Sequence, residues 1–252
     1  QIPVNQLKVV QGDTDLVEGH GSVGSRSLFV GGNAILRGIE DFLEECKQLA
    51  ASELEASVED LEYHQGNFQV KGTRVGIGIF DLCSRQSGNS ISVKRKKELT
   101  GRSWPNGCHV AEVEIDAETG EVRLDRYVSV DDVGNTVNPM IVHGQVQGGI
   151  ASGLGQAVLE RTEYDASGQL LSGSYMDYAL PRADDMPSLS GSLFEKAPCL
   201  TNPLGAKGTG EIGAVAGPPA IVHAVIDALE EKGITQVDMP LQPQKIWECL
   251  NR

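Results

Sequence analysis

The pattern that most limits the fold of this chain is a pair of alternating apolar and polar segments joined by a short turn. Residues 109–115 and 121–128 alternate in this way around the segment 116–120, which ends in glycine. A period of two is typical of half-buried strands, and a short polar turn ending in glycine joins antiparallel strands. The sequence therefore predicts a β-hairpin here, and a second hairpin over 61–72 around residues 65–67.

Helical patterns are interleaved with these hairpins. The apolar residues within 35–49 recur every three or four positions, as on one face of an amphipathic helix. A glycine-rich helix is predicted over 142–161, where so many glycines are tolerable if another backbone or a ligand lies close. A largely apolar helix is expected to begin at Pro218, since proline suits the first helical turn. A short strand is predicted over 7–11.

These elements follow one another without a regular βαβ period. The predicted fold class is therefore α+β, with mixed or antiparallel strands and at least four helices. The polar segment 84–107 carries the basic run 94–97, which we interpret as a solvated loop or lid, with a recruitment patch as the alternative. We expect one domain over 1–252, incomplete at its N-terminus, with a division into two subdomains near 84–107.

Charge and cysteine usage narrow the class of protein. The chain has 21 Lys and Arg against 35 Asp and Glu, a net charge of −14, which disfavours binding to nucleic acid or to an anionic membrane. No apolar run is expected to reach the roughly 18 residues of a membrane span. The five cysteines are dispersed, without a Cys-x-x-Cys pair, so we expect reduced thiols, a cytoplasmic protein and no structural zinc or iron–sulfur cluster within this chain.

The first candidate site is the glycine-rich stretch 19–27. It contains Gly24, Ser25, Arg26 and Ser27, and free backbone N–H groups, hydroxyls and a guanidinium together suit an anion. The alternative is a flexible loop with a serine helix cap.

Two further candidates lie in glycine-rich segments. Gln145, within 144–149, offers both a donor and an acceptor and suits a heterocycle edge, although it could equally be an exposed helix residue. Glu211 lies among glycines in the segment 207–211. If that segment is buried, the carboxylate is a candidate general base, and the alternative is a solvated surface turn.

In this order the three segments resemble the molybdenum hydroxylase family, the xanthine oxidase and aldehyde oxidoreductase group. The resemblance covers nearly the whole chain and is to the C-terminal part of the molybdopterin-binding large subunit, with aerobic carbon monoxide dehydrogenase large chains especially similar around 131–149. The motifs that carry it are GDTD at 12–15, GSRS at 24–27, DDVGNTVNP at 131–139, GQVQGG at 144–149, SYMDY at 174–178 and KGTGE at 207–211.

The resemblance implies the second molybdopterin-binding domain of this family and a role for each candidate residue. The family's catalytic Glu corresponds to Glu211 and its pterin-contacting Gln to Gln145, while the protein supplies no direct metal ligand. The implied cofactor is molybdopterin with molybdenum, expected as the cytosine dinucleotide, whose pyrophosphate would engage Arg26. The implied cofactor-binding residues are Gly24, Ser25, Arg26, Ser27, Gln145, Lys207, Gly208, Thr209 and Gly210.

The resemblance also implies partners and an activity. FAD and [2Fe-2S] clusters are expected on partner subunits, and the N-terminal half of the molybdenum subunit should complete the site. The implied reaction is hydroxylation of an aldehyde or N-heterocycle, or oxidation of carbon monoxide, with the isolated chain inactive. The alternatives are a non-catalytic cofactor-binding or scaffold domain of the same fold and, without the resemblance, an acidic interaction domain.

Overall fold

The computed structural model describes residues 2–19, 21–94 and 101–251. The chain divides into two compact units, the first formed by 1–21 and 30–99 and the second by 22–29 and 100–252. Of the basic run 94–97, only Lys94 belongs to the described residues.

The first unit packs helices against a small antiparallel sheet. The strands lie in the order β1-β2-β3, and the turn between the first two is formed by Gln65 and Gly66, both with positive φ, as the predicted hairpin requires. Phe68, Leu61 and Leu82 are buried in its core. Its elements are α1 (Asn33–Glu53), β1 (Leu61–His64), β2 (Asn67–Val70), β3 (Gly76–Gly78) and α2 (Ile79–Arg85), with 3-10 turns at Val4–Gln6, Val58–Asp60 and Ser87–Asn89.

Two expectations for this unit are corrected. The strand predicted over 7–11 does not form, because these exposed residues pair with no strand among the described residues. Helix α1 forms as predicted, but Ile35 and Ile39 on its apolar face are 66% and 49% exposed. Only the second half of the helix, around Cys46 and Ala50, reaches the core of this unit.

The second unit packs helices over a mixed sheet. The predicted hairpin is confirmed as β4 and β5, which pair antiparallel, and β6 adds parallel to β5. Leu124, Tyr127, Ile150, Ile221 and Ile246 form the centre of the core. The elements are β4 (Asn106–Ile115), β5 (Val122–Asp132), α3 (Pro139–Leu154), β6 (Leu189–Leu193), α4 (Ile212–Leu229) and α5 (Pro243–Leu250), with a π-helical turn at Gly155–Leu159 and 3-10 turns at Ala183–Asp185 and Glu230–Lys232. A further π-helical turn, Leu28–Gly32, includes residues of both units. The α+β class with mixed strands is confirmed.

Glycines let α3 and α4 approach closely. A Cβ on Gly149 would lie 2.7 Å from the backbone nitrogen of Ala214, and one on Gly213 would overlap the carbonyl oxygen of Val146. These two positions therefore accept only glycine without movement of a backbone. The predicted reason for so many glycines in one helix, a second backbone pressed against it, holds for Gly149 and Gly153.

The start of α4 differs from the prediction. The helix begins at Ile212, and Pro218 and Pro219 lie inside it. A proline inside a helix removes one N–H donor, and here Pro218 packs against Gly153 of α3.

The earlier start of α4 also corrects the expectation about apolar runs. Among the described residues one helix, Ile212–Lys232, is long and apolar enough to cross a membrane by length and composition alone, a test that core helices also pass.

Candidate functional site

The segment before α4 is tied to the end of β5 by backbone hydrogen bonds. The N–H of Lys207 donates to the carbonyl of Val133 at 2.7 Å, and Gly134 pairs with Ala206 in an isolated bridge. The amide of buried Asn202 donates to the carbonyl of Ala206 at 3.0 Å. This segment is therefore an ordered loop supported by the sheet, although its glycines predict flexibility.

Glu211 stands at the end of this loop, immediately before α4. Its side chain is exposed, and its Oε2 accepts a hydrogen bond from the hydroxyl of Ser25. The two candidate segments, 186 positions apart, thus meet at this carboxylate. A carboxylate that accepts a hydrogen bond at one oxygen is held in one orientation, as a general base requires.

Two glycines shape the contact between the segments. A Cβ on Gly208 would lie 2.5 Å from the carbonyl oxygen of Ser25, so any side chain at this buried position would displace the serine. A Cβ on Gly210 would lie 3.6 Å from the Ser25 Oγ and 3.5 Å from the Oε1 of Gln145. Gly210 therefore lies between the serine and the glutamine, and the three predicted segments converge on one place.

Ser25 has a strained backbone. Its φ is +54°, next to Gly24 at +60°. A positive φ is uncommon outside glycine and persists only where the surrounding structure holds the residue. Such residues concentrate at functional sites. The packing of Gly208 and the hydrogen bond to Glu211 are what hold Ser25.

Gln145 is an exposed residue of α3. Its amide makes no hydrogen bond to any described residue, and Cβ positions built on the neighbouring Gly144 and Gly148 meet nothing within 4 Å. Helix α3 is thus open at Gly144 and Gly148, whereas Gly149, one turn after Gln145 on the same side, is covered by the start of α4. An open amide flanked by glycines suits close contact with a flat heterocycle.

The remaining predicted residues form no side-chain hydrogen bond or ion pair with Ser25, Gln145 or Glu211 in the described part of the chain. Arg26 is exposed and forms no ion pair with a described residue, and the Oγ of Ser27 lies 2.5 Å from that of Ser22. Thr209 is half-buried, and Gly24 has open space at its Cβ position. These groups present hydroxyls, one guanidinium and accessible backbone, a donor set that fits phosphate and pterin oxygens.

The ammonium group of Lys207 forms an ion pair with Asp132. Its Nζ lies 2.5 Å from the Oδ2 of Asp132, and the two side chains are only 9% and 12% exposed. Its ammonium is thus directed toward β5. No group of three or more His, Cys, Asp and Glu in the described ranges could hold a metal ion.

A buried polar network behind the loop was missed at the sequence level. His109 contacts the Tyr127 hydroxyl through Nδ1 and Asp131 through Nε2, each at 2.9 Å, and the Ser129 hydroxyl donates to Asp131 at 2.9 Å. Burial, and then the charge of Asp131, raises the pKa of Tyr127. The signal was present, since polar residues at 127, 129 and 131 alternate toward the buried face of β5.

Comparisons with known proteins identify the family to which this chain is similar. A family model described as the molybdopterin cofactor-binding domain matches residues 1–187. The gamma subunit of the 6-hydroxypseudooxynicotine dehydrogenase complex of Paenarthrobacter nicotinovorans is 32% identical over 98% of this chain and 32% of its own length. The carbon monoxide dehydrogenase large chain of Hydrogenophaga pseudoflava is 32% identical over 99% of this chain and 32% of its own.

A solved structure shows the same fold. Quinoline 2-oxidoreductase from Pseudomonas putida 86 superposes with a TM-score of 0.81 and 33% identity, covering 93% of this chain and 31% of that one. The chain therefore spans about a third of the length of the proteins it matches.

Proposed function

The chain belongs to the molybdopterin cofactor-binding domain family, as its motifs predict, and from this premise we propose that it forms part of a molybdenum hydroxylase in which Glu211 is the catalytic base. The observation that carries the proposal is the convergence of Ser25, Gln145 and Glu211 on Gly210. A scaffold has no need of an open carboxylate held by a strained serine at that point.

The cofactor would be bound by uncharged donors and one arginine. Ser25, Ser27 and Thr209 offer hydroxyls, and Gln145 offers its amide to the pterin, while Gly24, Gly208 and Gly210 allow close backbone approach. Arg26 would pair with a phosphate, and the cytosine dinucleotide form provides a pyrophosphate for it. Lys207 would contribute through its backbone, because Asp132 holds its ammonium.

When bound, the molybdenum cofactor supplies a two-electron oxidant beside the substrate. Glu211 would accept a proton at Oε1 from the water-derived oxygen that attacks the substrate carbon. The hydroxyl of Ser25 occupies Oε2, and Oε1 has no hydrogen bond to a described residue, so the two carboxylate oxygens are already distinguished. The serine thus orients the base, and the glutamate moves the proton.

The substrate and the partners follow from the relatives. Their names refer to carbon monoxide, nicotine derivatives and quinoline, which supports an N-heterocycle or carbon monoxide as substrate. An aldehyde is proposed from the family resemblance alone. We further propose that the rest of the molybdenum subunit and subunits carrying FAD and [2Fe-2S] clusters complete the enzyme. The five cysteines are free, which suits a cytoplasmic setting.

The variant Glu211→Gln in the complete enzyme tests this proposal. It retains the size of the side chain but cannot take the proton, so turnover should fall by about 10²–10⁴-fold while molybdenum and nucleotide content stay at the wild-type level. Glu230→Gln, at the other end of α4, is the matched control and should leave turnover unchanged. Normal turnover in Glu211→Gln would leave a non-catalytic cofactor-binding domain, and loss of the cofactor would make Glu211 a binding residue.

A further inference from the structure

We infer that the ion pair between Lys207 and Asp132 positions Glu211, so that Lys207 acts on the reaction through the loop and not as a ligand of the cofactor. The inference rests on the function proposed above. Lys207 is a positioning residue in this scheme, because its ammonium contacts Asp132 and the proton is moved by Glu211.

The pair is nearly buried and specifically placed. Asp132 is the last residue of β5, its Oδ2 contacts the Lys207 Nζ at 2.5 Å, and its Oδ1 accepts the N–H of Gly134 at 2.9 Å. Both carboxylate oxygens are therefore used, and the aspartate is fixed to the backbone of the turn that follows the strand. A charge pair removed from water in this way holds one geometry far better than an exposed pair does.

The path from Lys207 to Glu211 is short. Three residues separate them, and two of these are glycines, which leave the backbone free to adopt other conformations. The hydrogen bond from the Lys207 N–H to Val133 and the ion pair to Asp132 fix the beginning of this segment, and α4 fixes its end. With both ends fixed, Gly208 packs on Ser25 and the carboxylate of Glu211 meets the serine hydroxyl.

Charge removal on one side only should disturb this arrangement. The remaining charge would stay buried without its partner, and the loop would have to move to reach water. Removing both charges leaves two polar groups of similar size that can still form a hydrogen bond. Single and double substitutions are therefore expected to differ in direction, as for any coupled pair, and a fall in kcat at near-constant KM is what distinguishes a positioning role from a merely structural one.

The experiment uses the complete enzyme with Asp132→Asn, Lys207→Gln and the double variant. In each single variant kcat should fall at least about tenfold with KM within about threefold of wild type, and the double variant should recover most of that loss. Hydrogen exchange of the peptide over 205–212 should accelerate in the single variants and slow again in the double variant. Glu114→Gln, which breaks the exposed pair with Arg123 on the same sheet, is the matched control and should change neither quantity.

Several results would overturn the inference. The inference fails if both single variants keep the wild-type kcat while Glu211→Gln is slow. It also fails if the loss of kcat in the double variant equals the product of the losses in the two single variants. Loss of molybdenum or nucleotide from Lys207→Gln but not from Asp132→Asn would make Lys207 a cofactor ligand. If Glu211→Gln itself turns over normally, the proposed function fails, and unchanged exchange over 205–212 in the single variants would then show separately that the pair does not hold the loop.

Discussion

The hydroxyl of Ser25 donates a hydrogen bond to the carboxylate of Glu211, although the two residues lie 186 positions apart. Ser25 adopts a left-handed backbone conformation to do so, and buried Gly208 packs against its carbonyl oxygen. The base and its hydrogen-bond donor are thus placed by two loops that hold each other. The rate of proton transfer to Glu211 should therefore depend on Ser25 as well as on the glutamate itself.

Removing the hydroxyl of Ser25 should slow turnover without removing the cofactor. In Ser25→Ala the carboxylate loses an orienting hydrogen bond of about 1–2 kcal/mol, which corresponds to a roughly tenfold fall in kcat. Ser25→Gly also lacks the hydroxyl but relieves the backbone strain, so it should be about as slow as Ser25→Ala. Wild-type kcat in Ser25→Gly, with molybdenum content measured in both variants, would show that the hydroxyl is not needed.

Local patterns predicted most elements of this fold, because each depends on neighbouring residues. The two hairpins depend on alternation and turn residues, and α3 on the spacing of apolar residues. Local patterns wrongly predicted a strand at 7–11 and placed the start of α4 too late in the chain. A strand needs a partner, and the packing of Pro218 against Gly153 of α3 joins segments that are distant in the sequence.

The sequence identified candidate residues for the site, but it did not predict which of them contact one another. Gln145 and Glu211 were identified as candidates by glycine-rich context and by the family resemblance. No local pattern reports that Ser25 contacts Glu211, or that the Lys207 ammonium is directed to Asp132, because both contacts join distant segments. His109 is the first residue of the predicted strand 109–115, and its partners depend on the register of β4 and β5.

Arg26 should contribute to cofactor retention. It is exposed and has no ion pair among the described residues, so its guanidinium is available to a phosphate. Arg26→Ala should cost about 1.5–3 kcal/mol of binding, and Arg26→Lys should recover only part of it because an ammonium cannot form a bidentate pair. The measurement is the molybdenum and cytosine nucleotide content of purified enzyme, with Arg123→Ala as the control. Equal content in Arg26→Ala and wild type would exclude the phosphate contact.

The contact between α3 and α4 should not tolerate a methyl group. In Gly213→Ala the new Cβ would overlap the carbonyl oxygen of Val146 and lie 2.6 Å from the nitrogen of Ile150, so the helices must separate. We expect a loss of about 1–3 kcal/mol of stability, seen as a lower thermal unfolding midpoint. Gly38→Ala, in α1 with nothing within 4 Å of its Cβ position, should instead stabilise its helix slightly. Equal midpoints for the two variants would refute the close packing.

The last prediction concerns the buried network behind the loop. Both ring nitrogens of buried His109 have hydrogen-bond partners, Asp131 at Nε2 and the hydroxyl of Tyr127 at Nδ1. Tyr127→Phe should therefore lower stability near pH 7 by about 1 kcal/mol, because it removes the partner of Nδ1.

The destabilising effect of the same substitution should diminish in alkaline solution. Burial and Asp131 raise the pKa of Tyr127 above its ordinary value of 10.0, so near that pH an unfolded tyrosine loses a proton that the folded one keeps. The stability supplied by the neutral hydroxyl is complete below that value and is lost as the pH rises above it, by about 1.4 kcal/mol per pH unit. Phenylalanine has no such proton, so the difference in unfolding temperature between wild type and Tyr127→Phe should shrink from pH 9 to pH 11. Tyr175→Phe, whose side chain is 84% exposed, is the control, and a constant difference for Tyr127→Phe across that range would contradict the assignment.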